Sequence, residues 1–202
     1  GAPTPSHLPP TSAEAFGQPL ARPRQLFQCP DGQPFVLAGT GTLGMDTACA
    51  NLVEQGDRAL VVNTGYFGDR IGVILERYGA QVTHVKAAPG GHPGLDEVEA
   101  ALKAGSFKVM TVTHVDTSTG VLADVAGLAA LGQRYGALVV VDGVCSVAGE
   151  DLRMSEWGVD VAFTASQKAV GVPPGLALLV AGPRALAALK ARKSPVGSYY
   201  AD

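Results

Sequence analysis

Lys168 and Asp142 are the residues of this 202-residue chain whose surroundings most favour chemistry. Lys168 lies in Ala165-Ser166-Gln167-Lys168-Ala169, after the apolar run Val159–Thr164 and before Val170-Gly171-Val172-Pro173-Pro174-Gly175. A solvated lysine seldom sits in so apolar a stretch, and a desolvated one has a lowered pKa and attacks aldehydes as a neutral amine. Asp142 ends the strand-like run Ala137-Leu138-Val139-Val140-Val141-Asp142. Burial there would raise its pKa unless a cation or hydrogen-bond donors keep it ionised. The N–H of a protonated pyridine is such a cation, and a ring kept protonated in this way accepts electrons from a carbanion. Each residue also has a plainer reading. Lys168 could be a surface lysine on a loop, and Asp142 a cap for Gly143-Val144-Cys145-Ser146.

A second kind of chemistry is anion binding. Gly39-Thr40-Gly41-Thr42-Leu43-Gly44 follows one apolar run and opens a helical stretch. Glycines let the backbone approach an anion closely, and a helix N-terminus presents unpaired N–H groups with a favourable dipole. A phosphate is the expected occupant; the alternative is a tight turn with no ligand. The letters also fit the G-x-G-x-x-G of dinucleotide-binding domains, which need an acid at the end of the next strand for the ribose. That strand, Ala59-Leu60-Val61-Val62-Asn63, ends in Asn63 and Thr64, so the nicotinamide reading falls behind. The hydroxyls of Thr40 and Thr42 suit a compact phosphate monoester.

Tyr66-Phe67-Gly68 places an aromatic at a helix start, where it could stack on a flat ring, although a phenylalanine is more often core. Thr113-His114-Val115-Asp116-Thr117-Ser118-Thr119-Gly120 gathers hydroxyls and a carboxylate that could bond a polar ring substituent or simply cap a loop. His114, His84 and His92 are expected to be structural or exposed.

These residues need a frame. Apolar runs recur at Pro34–Ala38, Ala59–Asn63, Gln81–Val85, Lys108–Thr113, Ala137–Asp142, Val159–Thr164 and Leu176–Ala181, mostly Val and Leu without clean alternation, as in strands buried on both faces. Between them Thr42–Gln55, Tyr66–Gly79, Asp96–Ala104 and Asp124–Gly136 carry apolar residues at helical spacing, with Asp46 and Asp124 near helix starts. The pattern predicts an α/β fold: a three-layer αβα arrangement around a mainly parallel sheet, with ligands beyond the carboxyl ends of the strands. Pro183–Lys193 reads as a basic helix. Residues 1–34 are proline-rich and are expected to be an extended arm, leaving 35–202 as the ligand-binding domain.

Composition narrows the function classes. A hydrophobic share of 47% and a charged share of 16% suit one sizeable core. A formal charge of −3 gives no reason to expect nucleic acid or an anionic membrane as partner. No apolar stretch is long enough to span a bilayer. Cys29, Cys49 and Cys145 are few and widely spaced, as in the reduced thiols of a cytoplasmic protein. Neither paired-cysteine zinc spacing nor HExxH occurs, which argues against a metal.

Taken in order, Gly39-Thr40-Gly41, Thr113-His114 with Ser118-Thr119-Gly120-Val121, Val141-Asp142-Gly143-Val144 and Ser166-Gln167-Lys168-Ala169 resemble the class V aminotransferases of pyridoxal-phosphate (PLP) fold type I. The likeness runs from about Phe35 to Tyr200 and is greatest to the alanine–glyoxylate and serine–pyruvate enzymes. It implies PLP as cofactor, held by Lys168 as a Schiff base, with Lys168 also moving the substrate proton. It implies that Asp142 faces the pyridine nitrogen and that Phe67 stacks on the ring, where the nearest relatives commonly have Trp. Thr40, Gly41, Thr42 and Gln167 match positions around the phosphate. Thr117 matches a hydroxyl near the ring, and Val144 packs on its other face. Gln167 stands where cysteine desulfurases usually carry His. The implied reaction moves an amino group from a small amino acid (alanine or serine) to a small 2-oxo acid (glyoxylate or pyruvate), in a homodimer.

Two departures bear on that expectation. The family's smaller C-terminal domain, with the arginine that grips the substrate carboxylate, would follow Tyr199-Tyr200 and is not among these residues. The family also has a helix between the arm and the first strand, and here only Leu20-Ala21-Arg22-Pro23-Arg24-Gln25-Leu26 joins them. The alternatives are therefore a cofactor-binding fragment or pseudoenzyme, or another class V PLP enzyme such as a desulfurase-like lyase.

Overall fold

The valine-rich runs form one sheet because side chains on both of its faces find a helical layer to bury against. A computed structural model describes residues 22–202. Its seven-stranded sheet has the order β1-β9-β8-β7-β4-β2-β3. The strands are β1 (Gln33–Ala38), β2 (Arg58–Asn63), β3 (Gln81–Lys86), β4 (Val109–Thr113), β7 (Leu138–Asp142), β8 (Val161–Ala165) and β9 (Leu176–Ala181), and a separate small hairpin pairs β5 (Val115–Asp116) with β6 (Val121–Leu122). Strands β3, β2, β4, β7 and β8 are parallel in turn. Strand β9 follows β8 through a loop with no crossover helix and pairs antiparallel to both β8 and β1.

Successive residues of the central strands divide between two cores. Leu60, Val62, Met110, Val112, Val139 and Val141 face α4 (Leu95–Lys103), α5 (Val125–Arg134) and the short α6 (Met154–Trp157). Ala59, Val61, Val109, Leu138 and Val140 face α2 (Gly41–Leu52), α3 (Tyr66–Arg77) and α7 (Pro183–Lys190). The outcome is the expected αβα arrangement with a mainly parallel sheet. Among the described residues no helix is long and apolar enough to cross a membrane.

Three expectations change. The arm was expected to be extended through residue 34, but residues 22–26 are helical (α1) and β1 opens at Gln33. Pro23 is tolerated in a first helical turn, and the turn ends by burying Phe27 completely against the α6 side of the core. Residues 1–21 of that arm lie outside the described residues. Asp46 is not at a helix start: α2 begins at Gly41, and the Asp46 carboxylate accepts from the Tyr78 hydroxyl at 2.9 Å. Asp124 does cap, accepting from the Gly127 amide at 2.9 Å. The basic helix α7 ends at Lys190, and Arg192 turns back to donate to the carbonyls of Ala50, Asn51 and Val53 near the end of α2.

Candidate active site

The carboxyl ends of β1, β2, β4, β7 and β8 bring the chemistry-bearing residues to one edge of the sheet. At β1, Thr40 is the N-cap of α2, yet its side chain makes no capping bond and the first turn holds no acid. The helix therefore keeps its positive end for an external anion. Gly41 is buried, and a Cβ built on it would stand 2.6 Å from Val144 Cγ2. A side chain is excluded there by the residue expected against the ring, which ties the anion turn to the β7 loop.

At β7, Asp142 is 3% exposed. Its Oδ1 accepts from the Val144 amide at 3.0 Å. Burial pushes its pKa up to about 7; the Val144 bond pulls down, the Asp116 charge pushes up, and the Arg70 and Lys168 charges pull down. A buried acid so poised ionises when a cation is delivered to it. Lys168, on the turn after β8, is half-buried. Gln167 beside it is exposed. Residues 171–176 after Lys168 lie at the surface, with Val172 49% and Leu176 42% exposed. What fixes this loop is Ser166, 2% exposed. Its hydroxyl donates to the Pro173 carbonyl at 2.7 Å and accepts from the Leu176 amide at 3.3 Å.

At β2, α3 starts with Tyr66 and Phe67, rings edge-to-face at 5.4 Å. Its N-terminus is capped from a distant segment. Asp116, fully buried, accepts from the Phe67 amide at 3.2 Å, while its other oxygen accepts from the Ser118 amide and hydroxyl. The Ser118 hydroxyl in turn accepts from the Tyr66 amide at 2.9 Å. Thr119 donates to the Thr64 carbonyl. Most of the hydroxyl-rich stretch thus holds Phe67 in place, and Thr117 lies with its Oγ1 2.7 Å from Cys145 Sγ.

Sequence reasoning passed over Arg70. Its guanidinium donates to Thr42 Oγ1 at 2.9 Å and lies 4.9 Å from the centroids of both Tyr66 and Phe67. The signal was its i+3 and i+4 spacing from the two aromatics, which puts all three on one helix face. His84 has a structural contact, with its Nδ1 3.0 Å from Asn63 Nδ2, and burial holds its pKa down. Among the described residues no cluster of His, Cys, Asp and Glu is arranged to hold a metal. The arrangement suits a ligand with an anion at one end, a flat face toward Phe67 and a cationic edge toward Asp142.

A parallel αβα sheet that gathers an anion turn, a buried acid and a lysine at its strand ends is the large domain of PLP fold type I. The chain belongs to the class-V aminotransferases, whose family model matches residues 21–199. It is 39% identical over 191 residues to alanine–glyoxylate aminotransferase 1 of Saccharomyces cerevisiae, covering 90% of this chain and 50% of that one. The solved structure of ureidoglycine–glyoxylate aminotransferase from Bacillus subtilis superposes with a TM-score of 0.96 at 27% identity, over 100% of this chain and 52% of that one. Alanine–glyoxylate aminotransferase from Nostoc sp. gives 0.95 at 32%, over 100% and 53%. The chain spans about half the length of the curated relatives it matches.

Proposed function

We propose that this chain forms the PLP-binding part, residues 35–202, of an aminotransferase that moves an amino group from a small amino acid (alanine or serine) to a small 2-oxo acid, glyoxylate or pyruvate. The observation that carries the reading is the convergence of Lys168, Asp142 and the Gly39–Thr42 turn at the ends of β8, β7 and β1. The relatives named above share glyoxylate and differ in donor, which favours glyoxylate as acceptor.

The cofactor would bring an aldehyde and an electron-accepting ring. Toward it, the α2 N-terminus with Thr40, Gly41 and Thr42 binds the phosphate, with Gln167 beside it. Phe67 and Val144 hold the two ring faces, and Thr117 reaches the ring edge. Asp142, neutral or charged near pH 7 according to what faces it, keeps the ring nitrogen protonated. The Lys168 amine would hold the cofactor at its aldehyde carbon and would carry the proton to and from the substrate α-carbon. The exposed apolar residues Val36, Val172 and Leu176 beside the lysine loop support a second copy of the chain packing there, as a homodimer. Free thiols at Cys29, Cys49 and Cys145 support a reducing compartment such as the cytoplasm.

The test is addition of PLP to the purified protein, followed by borohydride reduction and peptide mass analysis. Label on Lys168, loss of that label in Lys168→Ala, and release of pyruvate from added alanine are expected. No label on any lysine would remove the reading. Label without release of pyruvate from alanine or of hydroxypyruvate from serine would leave a cofactor-binding module.

A further inference from the structure

We infer that Arg70 is the positioning residue that joins the anion turn to the stacking aromatic and orients the Thr42 hydroxyl toward the bound phosphate, an inference that rests on the PLP reading above. Arg70 is half-buried on α3 and reaches across to α2. One nitrogen donates to Thr42 Oγ1 at 2.9 Å, and another donates to the Tyr66 hydroxyl at 3.3 Å. Its Cζ lies 4.9 Å from the centroids of both aromatic rings at the helix start. A planar, delocalised cation can stack on rings and donate in its own plane at once; an ammonium cannot.

The acid nearest to Arg70 in sequence does not claim it. Asp69 accepts instead from Lys86 at 2.6 Å and from Asn63 at 2.9 Å. Arg70 therefore brings an uncommitted positive charge to the edge where α2 presents an uncapped N-terminus without a first-turn acid.

The consequence for Thr42 follows from hydroxyl chemistry. A threonine hydroxyl has one proton to give and two lone pairs to receive. Arg70 occupies a lone pair, so the hydroxyl proton is left to point away from the guanidinium, into the turn. Thr42 becomes a committed donor, which is what a phosphate oxygen requires. The same guanidinium fixes Phe67 against this turn, so the distance between phosphate and ring face is set by one side chain.

A double-mutant cycle tests this with equilibrium absorbance titrations of PLP and of pyridoxal, which lacks the phosphate. Arg70→Gln and Thr42→Val should each weaken PLP binding by about tenfold, the usual scale for loss of a charge-assisted hydrogen bond. The double variant should be scarcely worse than either single one, because both remove the same arrangement. Arg70→Lys, which keeps the charge, should also lose affinity, and Thr42→Val should leave pyridoxal almost unaffected. Additive losses, or an Arg70→Gln variant that binds PLP like the wild type, would overturn the inference. Urea unfolding of each variant checks its fold, and if Arg70→Gln does not fold, Arg70→Lys takes its place in the cycle. Wild-type protein that takes up no PLP would instead remove the reading of function itself.

Discussion

The Gly39 amide donates to the Gly175 carbonyl at 2.8 Å. This single bond links the start of the anion turn to the end of the loop that carries Lys168. The two segments are 136 residues apart in sequence, yet a backbone hydrogen bond joins them at the sheet edge. Strand β1 and strand β9 pair directly below them, with Ala38 opposite Leu176. The Lys168 loop and the Gly39–Thr42 turn thus hang on one backbone ladder, which fixes their separation as the proposed contacts to the two ends of one small ligand would require.

Ser166 is the internal brace of that loop, and Ser166→Ala should loosen it. The substitution removes a bond to the Pro173 carbonyl and one from the Leu176 amide. Pro173 and Leu176 are exposed, so water can replace part of the loss, and the cost should be about 1 kcal/mol. Urea unfolding reads the stability change, and PLP titration should show weaker binding. Unchanged affinity would mean that the loop is ordered without the hydroxyl.

Asp116→Asn separates capping from simple burial. The amide nitrogen of Asn would meet the Phe67 N–H donor to donor, or would turn and lose Ser118. The negative charge at the α3 N-terminus also disappears. A destabilisation of about 1–2 kcal/mol is expected, the range for lost helix caps. Because the Asp116 charge raises the Asp142 pKa, the variant should also titrate Asp142 at lower pH, which carbon-detected NMR of the side-chain carboxyls would read.

Asp142 makes the cofactor-free protein sensitive to pH in a definite direction. Its ordinary pKa of 3.8 is raised to about 7 in the fold, chiefly by burial. Below the lower value both folded and unfolded chains hold the proton. Between the two values only the folded chain keeps it, so stability falls as pH rises, by about 1.4 kcal/mol per unit. Above the upper value both forms are ionised and the loss levels off. Asp142→Asn should remove this component, so the variant gains on the wild type between about pH 4 and about pH 7 in urea unfolding, with little further gain above that. Asp160, also raised by burial, contributes the same sign to both proteins and cancels in the comparison.

The strands were legible because a parallel sheet covered on both faces demands unbroken Val and Leu, and Leu138–Asp142 or Leu176–Ala181 can be little else. Asp142 and Lys168 were legible as titratable residues at the ends of such runs. The Gly39–Thr42 turn was legible because strand ends and glycines mark where backbone meets ligand. Residues 22–26 were not, since a single helical turn owes its existence to Phe27 finding a place in the core. The role of Asp116 was hidden for a related reason. Its bond to the Phe67 amide joins residues 49 apart, and local sequence only shows a hydroxyl-rich turn.

Gly41→Ala tests the close packing that places the anion turn against Val144. The added methyl would stand 2.6 Å from Val144 Cγ2 and 3.2 Å from Cγ1, well inside contact distance. Val144 is held by its amide on Asp142 and by its carbonyl, which accepts from the Thr164 hydroxyl at 3.3 Å, so its backbone has little freedom to retreat. Relief must come from rotation of the Val144 side chain or from outward movement of the α2 N-terminus. The first tilts the surface proposed to meet the ring, and the second withdraws the N–H groups proposed to meet the phosphate. Overpacking of this kind costs about 1–3 kcal/mol, to be read by urea unfolding. PLP affinity should fall by more than that stability loss would suggest, because both ligand-facing surfaces shift together. Gly41 has no positive φ, so the effect is steric rather than conformational. Adding Val144→Ala to the variant should therefore recover much of the stability, and a double variant no more stable than Gly41→Ala alone would refute the steric account.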